Sequence, residues 1–251
     1  MTKKIWITGA SSGIGRALAI KFSNEGWQVA ASARRESLLN DLNKSNPNIH
    51  AFVLDVKDEK SVRNVFQNIL QKFETLDICV FATGIHDPES EKKLSSEKIR
   101  EIMETNFFGT LNCIMAVNTY FKEKKSGHIS IVSSVAGYRG LPAAAGYCAS
   151  KSALTSLAET LYFDFKRHNV RVSLVSPGFI KTPMTDKNKF PMPMIKSAEF
   201  AAEKMFIGLT KKNTFEIHFP IAFTLMMKLL KIMPNWLYFL LVKNGMKTIK
   251  Y

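Results

Sequence analysis

A glycine-rich turn near the start of the chain separates a short β-branched segment from an amphipathic segment. Residues Lys4 to Thr8 read KIWIT, Gly9 to Gly15 read GASSGIG, and apolar residues then recur at helical spacing up to Glu25. Strand, glycine loop and helix in this order are typical of α/β units in which a helix N-terminus faces a phosphate group. The segment therefore predicts the start of a parallel sheet and a dinucleotide site.

The chain that follows alternates between extended and helical patterns. Further strands are predicted at 27–32, 49–54, 77–82, 128–133, 171–176 and 214–219, with helical periodicity between them. This alternation predicts an α/β fold, a Rossmann-type doubly wound parallel sheet of about seven strands with helices on both faces. A chain of 251 residues is long enough for one such domain, which we place at residues 1–220, followed by an extension at 221–251.

Each glycine of the turn meets a separate physical need. Gly9 permits the tight turn, Gly13 lets a pyrophosphate approach the backbone, and Gly15 lets the helix pack close to the strand. The loop between them is completed by Ser11, Ser12 and Ile14. The spacing differs from the standard G-x-G-x-x-G fingerprint, so the alternative interpretation is a plain strand–helix turn.

Two arginines follow the second predicted strand, which ends at Ala33. An acid at this point would bind the ribose 2′-hydroxyl of NAD, whereas guanidinium groups pair with a 2′-phosphate. Arg34 and Arg35 therefore predict NADP(H) as the cofactor, with the alternative that one of them is a solvated surface charge.

A tyrosine and a lysine, Tyr147 and Lys151, lie four residues apart in a helical segment and would share one helix face. Ser134 lies thirteen residues before Tyr147, just after a predicted strand, and Ser133 is an alternative hydroxyl. A neighbouring cation lowers the pKa of a phenol, and a hydroxyl can hold a substrate oxygen. Together, Ser134, Tyr147 and Lys151 predict a proton relay. Taken alone, the Tyr-x-x-x-Lys pattern could also be an ordinary pair on a helix surface.

With these motifs in place, the chain resembles the short-chain dehydrogenase/reductase family over about residues 3 to 220. The resemblance is carried by the glycine loop Thr8 to Gly15, Asn106, Ser134 with Tyr147 and Lys151, and Pro177-Gly178. It implies a doubly wound sheet and hydride transfer between NAD(P)H and a small-molecule carbonyl or alcohol. A non-catalytic NADP(H)-binding sensor or scaffold is the alternative function.

The resemblance also implies roles for the four catalytic candidates. Tyr147 would be the general acid in reduction and the general base in oxidation. Lys151 would hold the nicotinamide ribose and lower the pKa of Tyr147. Ser134 would position the carbonyl and stabilise its developing charge, and Asn106 would help to hold a water molecule. For Asn106, a structural amide is the alternative.

Further cofactor contacts are implied at Asp55, Val56, Gly84, Pro177, Gly178, Ile180 and Thr182. Asp55 and Val56 resemble the adenine-contacting pair, and Thr182 resembles the contact to the nicotinamide carboxamide. The chain departs from the family after the fourth strand, where Phe81 to Gly84 reads FATG in place of Asn-Asn-Ala-Gly. The loss of both amides predicts a less rigid centre of the sheet.

The C-terminal quarter is basic and ends in an apolar segment. Residues 181–251 carry twelve lysines and four acids, and the whole chain has a net charge of +14. The apolar segment 221–242 is interrupted at Lys228, Lys231 and Pro234, so its apolar runs are shorter than the ~18 residues of a spanning helix. We therefore predict two short amphipathic helices separated at Pro234.

The sequence leaves several roles open for this extension. Residues 221–243 have three alternative roles: they would lie in a membrane interface, they would cap the active site over an apolar substrate, or they would pack on a partner subunit. The family resemblance implies a homodimer or homotetramer. The apolar stripe on the Tyr147 helix would pack on another copy or, alternatively, face its own sheet.

Other function classes are disfavoured by the sequence. No nucleic-acid-binding motif accompanies the basic charge, and no Cys/His spacing indicates a metal site. Three scattered cysteines, Cys79, Cys113 and Cys148, are interpreted as reduced, mostly buried thiols. With no signal peptide at the N-terminus, the expected location is the cytoplasm, including its membrane surface.

Overall fold

The computed structural model describes residues 2–91, 93–188 and 190–247. Its centre is a sheet of seven parallel strands in the order β3-β2-β1-β4-β5-β6-β7. The strands are β1 (Lys4–Thr8), β2 (Gln28–Ala33), β3 (Ile49–Val53), β4 (Ile78–Phe81), β5 (His128–Val132), β6 (Arg171–Pro177) and β7 (Glu216–Phe219). The predicted doubly wound parallel sheet is confirmed.

Ten α-helices are described around and beyond the sheet. They are α1 (Gly13–Asn24), α2 (Glu36–Ser45), α3 (Glu59–Phe73), α4 (Pro88–Glu91), α5 (Ser96–Met103), α6 (Gly109–Lys124), α7 (Ala145–Lys166), α8 (Ala198–Thr210), α9 (Ile221–Ile232) and α10 (Asn235–Lys247). Helices α1, α2 and α8 cover one face of the sheet, and α3, α6 and α7 cover the other.

Alternate residues of the central strands enter two separate hydrophobic cores. In β1, Ile5 and Ile7 pack beneath α1, α2 and α8, whereas Trp6 packs beneath α3 and α6. Every residue of β4 and β5 is buried, as expected for parallel strands that are covered on both faces. The three cysteines, predicted to be mostly buried, are all buried.

The apolar stripe of α7 packs against its own sheet. Leu154, Ala158 and Phe165 belong to the second core, together with residues of β5 and β6. Phe163 points the other way and remains exposed on the same helix. Of the two orientations left open by the sequence, the stripe therefore adopts the one that faces its own sheet.

The strand order reverses between β1 and β4, and this reversal positions the site. From β1 the chain proceeds outward through β2 and β3, and then returns to place β4 on the other side of β1. The loops at the carboxyl ends of these two strands diverge and leave a crevice between them, which is where open α/β sheets bind ligands.

Several element boundaries differ from those predicted by the sequence. The last strand begins at Glu216 rather than Thr214, because only residues from Glu216 onward pair with β6. Helix α6 was predicted from about Phe108 to Lys124; it begins one residue later, at Gly109, and ends at Lys124 as predicted, where Lys125 adopts a left-handed conformation with φ of 51°. The four-residue α4 and a π-helical turn at Glu104–Phe108 were not predicted.

The extension forms two helices, α9 and α10, which meet near Pro234 as predicted. Phe223 and Met227 on the inner side of α9 pack against Val135 and Tyr138. Of the predicted extension, residues 248–251 lie outside the described residues. Among the described helices, none is both long enough and apolar enough to cross a bilayer.

Candidate active site

One cavity of about 450 Å³ lies at the carboxyl ends of β1, β4, β5 and β6. With the exception of Asn106, every site residue predicted from the sequence lines it. Its volume is within the range of pockets that hold small molecules and cofactors. The cavity therefore brings together motifs that are separated by up to 173 residues in the chain, from Gly9 to Thr182.

The glycine loop forms a close-fitting cradle at one end of the cavity. Gly9 has a φ of 70°, in the left-handed region that favours glycine. A Cβ added at Gly15 would lie 2.4 Å from the carbonyl oxygen of Gly9, so only glycine allows this approach of helix to turn. Helix α1 begins at Gly13 and directs unpaired backbone N–H groups towards the cavity, as a pyrophosphate requires.

The two arginines after β2 line the same end of the cavity and are exposed. The Arg35 guanidinium donates from Nη2 to the Ser11 hydroxyl at 2.8 Å and to the Ser12 hydroxyl at 2.6 Å. These bonds hold the positive charge of Arg35 over the glycine loop. Arg35, rather than Arg34, is therefore the arginine fixed beside the cradle, a distinction that the sequence did not predict.

Tyr147 and Lys151 lie in the first two turns of α7, and Ser134 follows β5. Lys151 Nζ lies 5.7 Å from the Tyr147 ring centroid and donates to the Val132 carbonyl at 3.0 Å. The Ser134 hydroxyl lies close enough to the Tyr147 phenol to lower its pKa. The three groups predicted to form a proton relay are thus neighbours.

The adjacent Ser133 has a different environment. Its hydroxyl donates to the Lys151 carbonyl at 2.8 Å and lies 3.0 Å from the Thr155 hydroxyl. Both partners belong to α7, so Ser133 ties the end of β5 to that helix. Of the two hydroxyls considered from the sequence, Ser134 is the one that contacts the phenol.

Burial dominates the electrostatics of Tyr147 and Lys151. Burial raises the pKa of Tyr147 to about 12, against a smaller lowering by the hydrogen bond to Ser134. Burial also lowers the pKa of Lys151 to about 8. The pKa of Tyr147 in the chain by itself is therefore raised, opposite to the lowering expected from Lys151, because the phenol loses hydration on burial.

Asn106 lies behind the cavity wall, in the π-helical turn, and is fully buried. Its Oδ1 accepts from the Ile85 N–H at 2.7 Å, and its Nδ2 donates to the Ile85 carbonyl and to the Ser150 hydroxyl, each at 3.0 Å. The side chain thus fixes the loop after β4 to α7. The Asn106 amide thus bonds the backbone next to the FATG segment, which has no side-chain amide of its own. The water-holding role of Asn106 remains a prediction.

A histidine and a glutamate that the sequence did not single out adjoin Tyr147. The His86 ring stacks on the Tyr147 ring with a centroid separation of 4.3 Å and an interplanar angle of 27°. His86 Nδ1 lies 2.7 Å from Glu91 Oε1, and Glu91 Oε2 accepts from the N–H groups of Gly146 and Tyr147 at 2.9 and 3.1 Å. No known motif links these residues, so no sequence pattern would have indicated them.

The extension packs behind the cavity wall. A Cβ added at Gly178 would lie 2.6 Å from Cδ1 of Phe223 in α9. Arg139 donates to the carbonyl oxygens of Leu230 and Met233 at 2.5 and 2.7 Å, and its guanidinium lies 3.9 Å from the Tyr238 ring centroid. The residues that line the cavity all precede residue 188, so the extension supports the wall from outside.

Comparison with known proteins gives a consistent result. The family model described as short chain dehydrogenase matches residues 3–191. An uncharacterized oxidoreductase of Myxococcus xanthus is 33% identical over 236 residues, which cover 92% of this chain and 93% of the relative. A 3-oxoacyl-acyl-carrier-protein reductase of Thermotoga maritima is 32% identical over 185 residues, which cover 72% of this chain and 75% of the relative.

Among solved structures, one described as ElxO with NADP bound aligns with a TM-score of 0.76 and 25% identity. The alignment covers 87% of this chain and 98% of that one. The family model, the curated relatives and the shared architecture agree. The chain therefore belongs to the short-chain dehydrogenase/reductase family and is an oxidoreductase of that family.

Proposed function

We propose that this oxidoreductase interconverts a carbonyl compound and the corresponding alcohol, with NADP(H) as cofactor. The observation that carries the proposal is the cluster of Ser134, Tyr147 and Lys151 in the same cavity as the glycine cradle. When bound, the nicotinamide cofactor supplies or accepts the hydride. The chain supplies orientation and the proton.

In reduction, Tyr147 donates its phenolic proton to the carbonyl oxygen of the substrate. With a pKa of about 12, the phenol is protonated throughout the neutral range and is available as an acid. The neighbouring Ser134 hydroxyl donates a hydrogen bond to the same oxygen as negative charge develops there. Buried Lys151 supplies a positive charge next to the phenol and a donor for a cofactor hydroxyl.

The preference for NADP(H) follows from the charges beside the cradle. Arg35, held by Ser11 and Ser12, and the adjacent Arg34 present two guanidinium groups where a 2′-phosphate would extend from the adenine ribose. Guanidinium pairs with phosphate bidentately, and the residue directly after β2 is an arginine rather than a carboxylate that would repel the phosphate. The structure of ElxO with NADP bound, a relative in fold, supports this proposal.

The proposed substrate is a small, apolar or lipid-like ketone or aldehyde. One relative is named as a 3-oxoacyl-acyl-carrier-protein reductase, which supports a carbonyl on an acyl chain.

We also propose that residues 1–220 form the catalytic domain and that 221–251 form the extension. The enzyme is further proposed to be a homodimer or homotetramer in the cytoplasm. Phe163 on α7 and Met115 on α6 are exposed apolar residues available to a second copy.

The proposal is tested by following NADPH absorbance during incubation with a panel of ketones and aldehydes. The panel should contain short and long aliphatic chains, aromatic ketones and 3-oxoacyl thioesters. We expect turnover of at least one apolar member, with NADPH preferred over NADH by about tenfold or more in kcat/KM. Binding of NADPH with no turnover of any member, in either direction, would instead support a non-catalytic cofactor sensor.

We further propose that the extension attaches the enzyme to an anionic membrane surface. The outer face of α9 and α10 consists of nine exposed apolar residues: Ile221, Leu225, Met226, Leu229, Ile232, Trp236, Phe239, Leu240 and Leu241. Lys231 and Lys243 are also exposed on these helices. An apolar helix face flanked by lysines is typical of segments that lie in the plane of a membrane interface.

Flotation with lipid vesicles tests this attachment. The full chain is expected to float with vesicles that contain about 30% anionic lipid and to bind neutral vesicles more weakly, because lysines contribute about 1 kcal/mol each near an anionic surface. Replacing Trp236 and Phe239 by serine should lower vesicle binding about tenfold or more. Leu94→Ser, at an exposed leucine outside the extension, is the matched control. Equal flotation of the double variant and the control would refute the attachment.

A further inference from the structure

The contacts of His86 and Glu91 fall outside the roles described above. His86 lies in the loop after β4, lines the cavity and covers the Tyr147 ring at a centroid distance of 4.3 Å. Its near-parallel orientation, with 27° between the ring planes, makes the contact a broad face rather than an edge. The general acid proposed above is therefore packed against a second aromatic ring.

Glu91 determines where that ring lies. Its carboxylate is buried, with only 2% of the side-chain surface exposed, and it contacts three nitrogen atoms. One oxygen lies 2.7 Å from His86 Nδ1, and the other accepts from the N–H groups of Gly146 and Tyr147. The first N–H groups of a helix have no partner within it, so Glu91 satisfies two such groups of α7 while it holds His86.

We propose that His86 is a positioning residue for Tyr147, and that Glu91 fixes the His86 ring and the start of α7 in one arrangement. This inference rests on the proposed function, in which Tyr147 delivers the proton. Glu91 fixes the backbone of Tyr147, and His86 covers one face of its ring. The orientation of the phenol is therefore constrained both at the backbone and at the ring. The hydroxyl is then kept beside Ser134.

Proton transfer gives a reason to hold Tyr147 in one position. Proton delivery requires the phenol oxygen to lie within about 2.6–3.2 Å of the substrate oxygen, and small displacements of a reacting group are costly. Tyr147 lies near the first residue of its helix, where the preceding segment, 138–144, is irregular. The brace formed by His86 and Glu91 supplies the rigidity that a helix end does not have by itself.

A pair of substitutions at His86 separates positioning from general stability. We expect His86→Ala to lower kcat for carbonyl reduction about tenfold while KM for NADPH changes less than about twofold. We expect His86→Phe, which keeps an aromatic face without the ring nitrogens, to recover most of kcat. Thermal melting and NADPH binding of both variants show whether each is folded.

A spectroscopic measurement tests the stack without any substrate. Tyrosine labelled with ¹³C only at the two ε carbons of the ring gives one signal per residue when the ring flips rapidly, and Tyr147→Phe identifies the Tyr147 signal by its absence. We expect the ring protons of Tyr147 to show a ring-current shift in the unaltered protein and in His86→Phe, and to lose it in His86→Ala. Absence of this shift from the unaltered protein would overturn the inference even if the enzyme is active.

Glu91 offers a second matched pair. Glu91→Gln keeps an oxygen for the N–H groups of α7 and an amide beside His86, so we expect kcat within about threefold of the unaltered enzyme. Glu91→Leu removes all three contacts, and we expect it to lower kcat and to weaken the Tyr147 ring-current shift.

Besides a missing ring-current shift in the unaltered protein, three outcomes would contradict the inference: unchanged kcat in His86→Ala, equal losses of kcat in His86→Phe and His86→Ala, or an unchanged ring-current shift in Glu91→Leu. Equal losses would mean that the imidazole acts through its nitrogens rather than as a packing surface. If no carbonyl is turned over, the proposed function fails, while the ring-current measurement still decides whether His86 and Glu91 fix Tyr147.

Discussion

Tyr147→Phe is expected to lower kcat for carbonyl reduction by about 10²–10⁴-fold, the range that a positioned general acid contributes. The substitution removes one oxygen atom and its proton. The phenylalanine ring still stacks on His86 and fills the same volume, so the fold and the cavity should be unchanged. The loss should therefore fall on proton delivery rather than on cofactor binding.

The experiment compares single-turnover rates and NADPH affinity for this variant with those of Tyr162→Phe. Tyr162 also belongs to α7, but it packs against Phe215 at a ring-centroid distance of 5.5 Å and is not among the cavity-lining residues. We expect the control to keep full activity and both variants to bind NADPH as the unaltered protein does. Retention of more than about a tenth of kcat by Tyr147→Phe would mean that another group delivers the proton.

The parts of the site that could be predicted from the sequence depend on local geometry. Tyr147 and Lys151 share a helix face because of their spacing, and the glycine loop follows β1 directly. Ser134 lies near them because the carboxyl ends of parallel strands meet at one edge of the sheet. These relations hold for any chain that adopts this sheet, so they required no knowledge of side-chain packing.

The remainder depends on contacts that no local pattern encodes. Glu91 and Gly146 are 55 residues apart, and their hydrogen bond forms only because α4 lies at the start of α7. The pKa of Tyr147 was predicted with the wrong sign because the extent of burial is a property of the packed structure. The choice of Arg35 over Arg34 likewise depends on which side chain reaches Ser11 across the crevice.

This last contact leads to the second large effect, on cofactor choice. We expect the double variant Arg34→Ala, Arg35→Ala to lose about 100-fold or more in NADPH affinity, because hydrogen bonds to charged groups contribute about 1.5–3 kcal/mol each. Affinity for NADH should change less than about threefold, since NADH carries no 2′-phosphate. Fluorescence titration with both cofactors, at one ionic strength near 0.1 M, measures the two affinities under equal screening.

Two controls make the result specific. Arg63→Ala removes another exposed arginine, on α3, where it pairs with Glu59, and should leave both affinities unchanged. Arg35→Lys keeps the charge but replaces a planar fork by a single ammonium, so it should retain part of the preference for NADPH. Equal losses for NADPH and NADH in the double variant would refute recognition of the 2′-phosphate. They would assign Arg35 to the support of the glycine loop, through its bonds to Ser11 and Ser12.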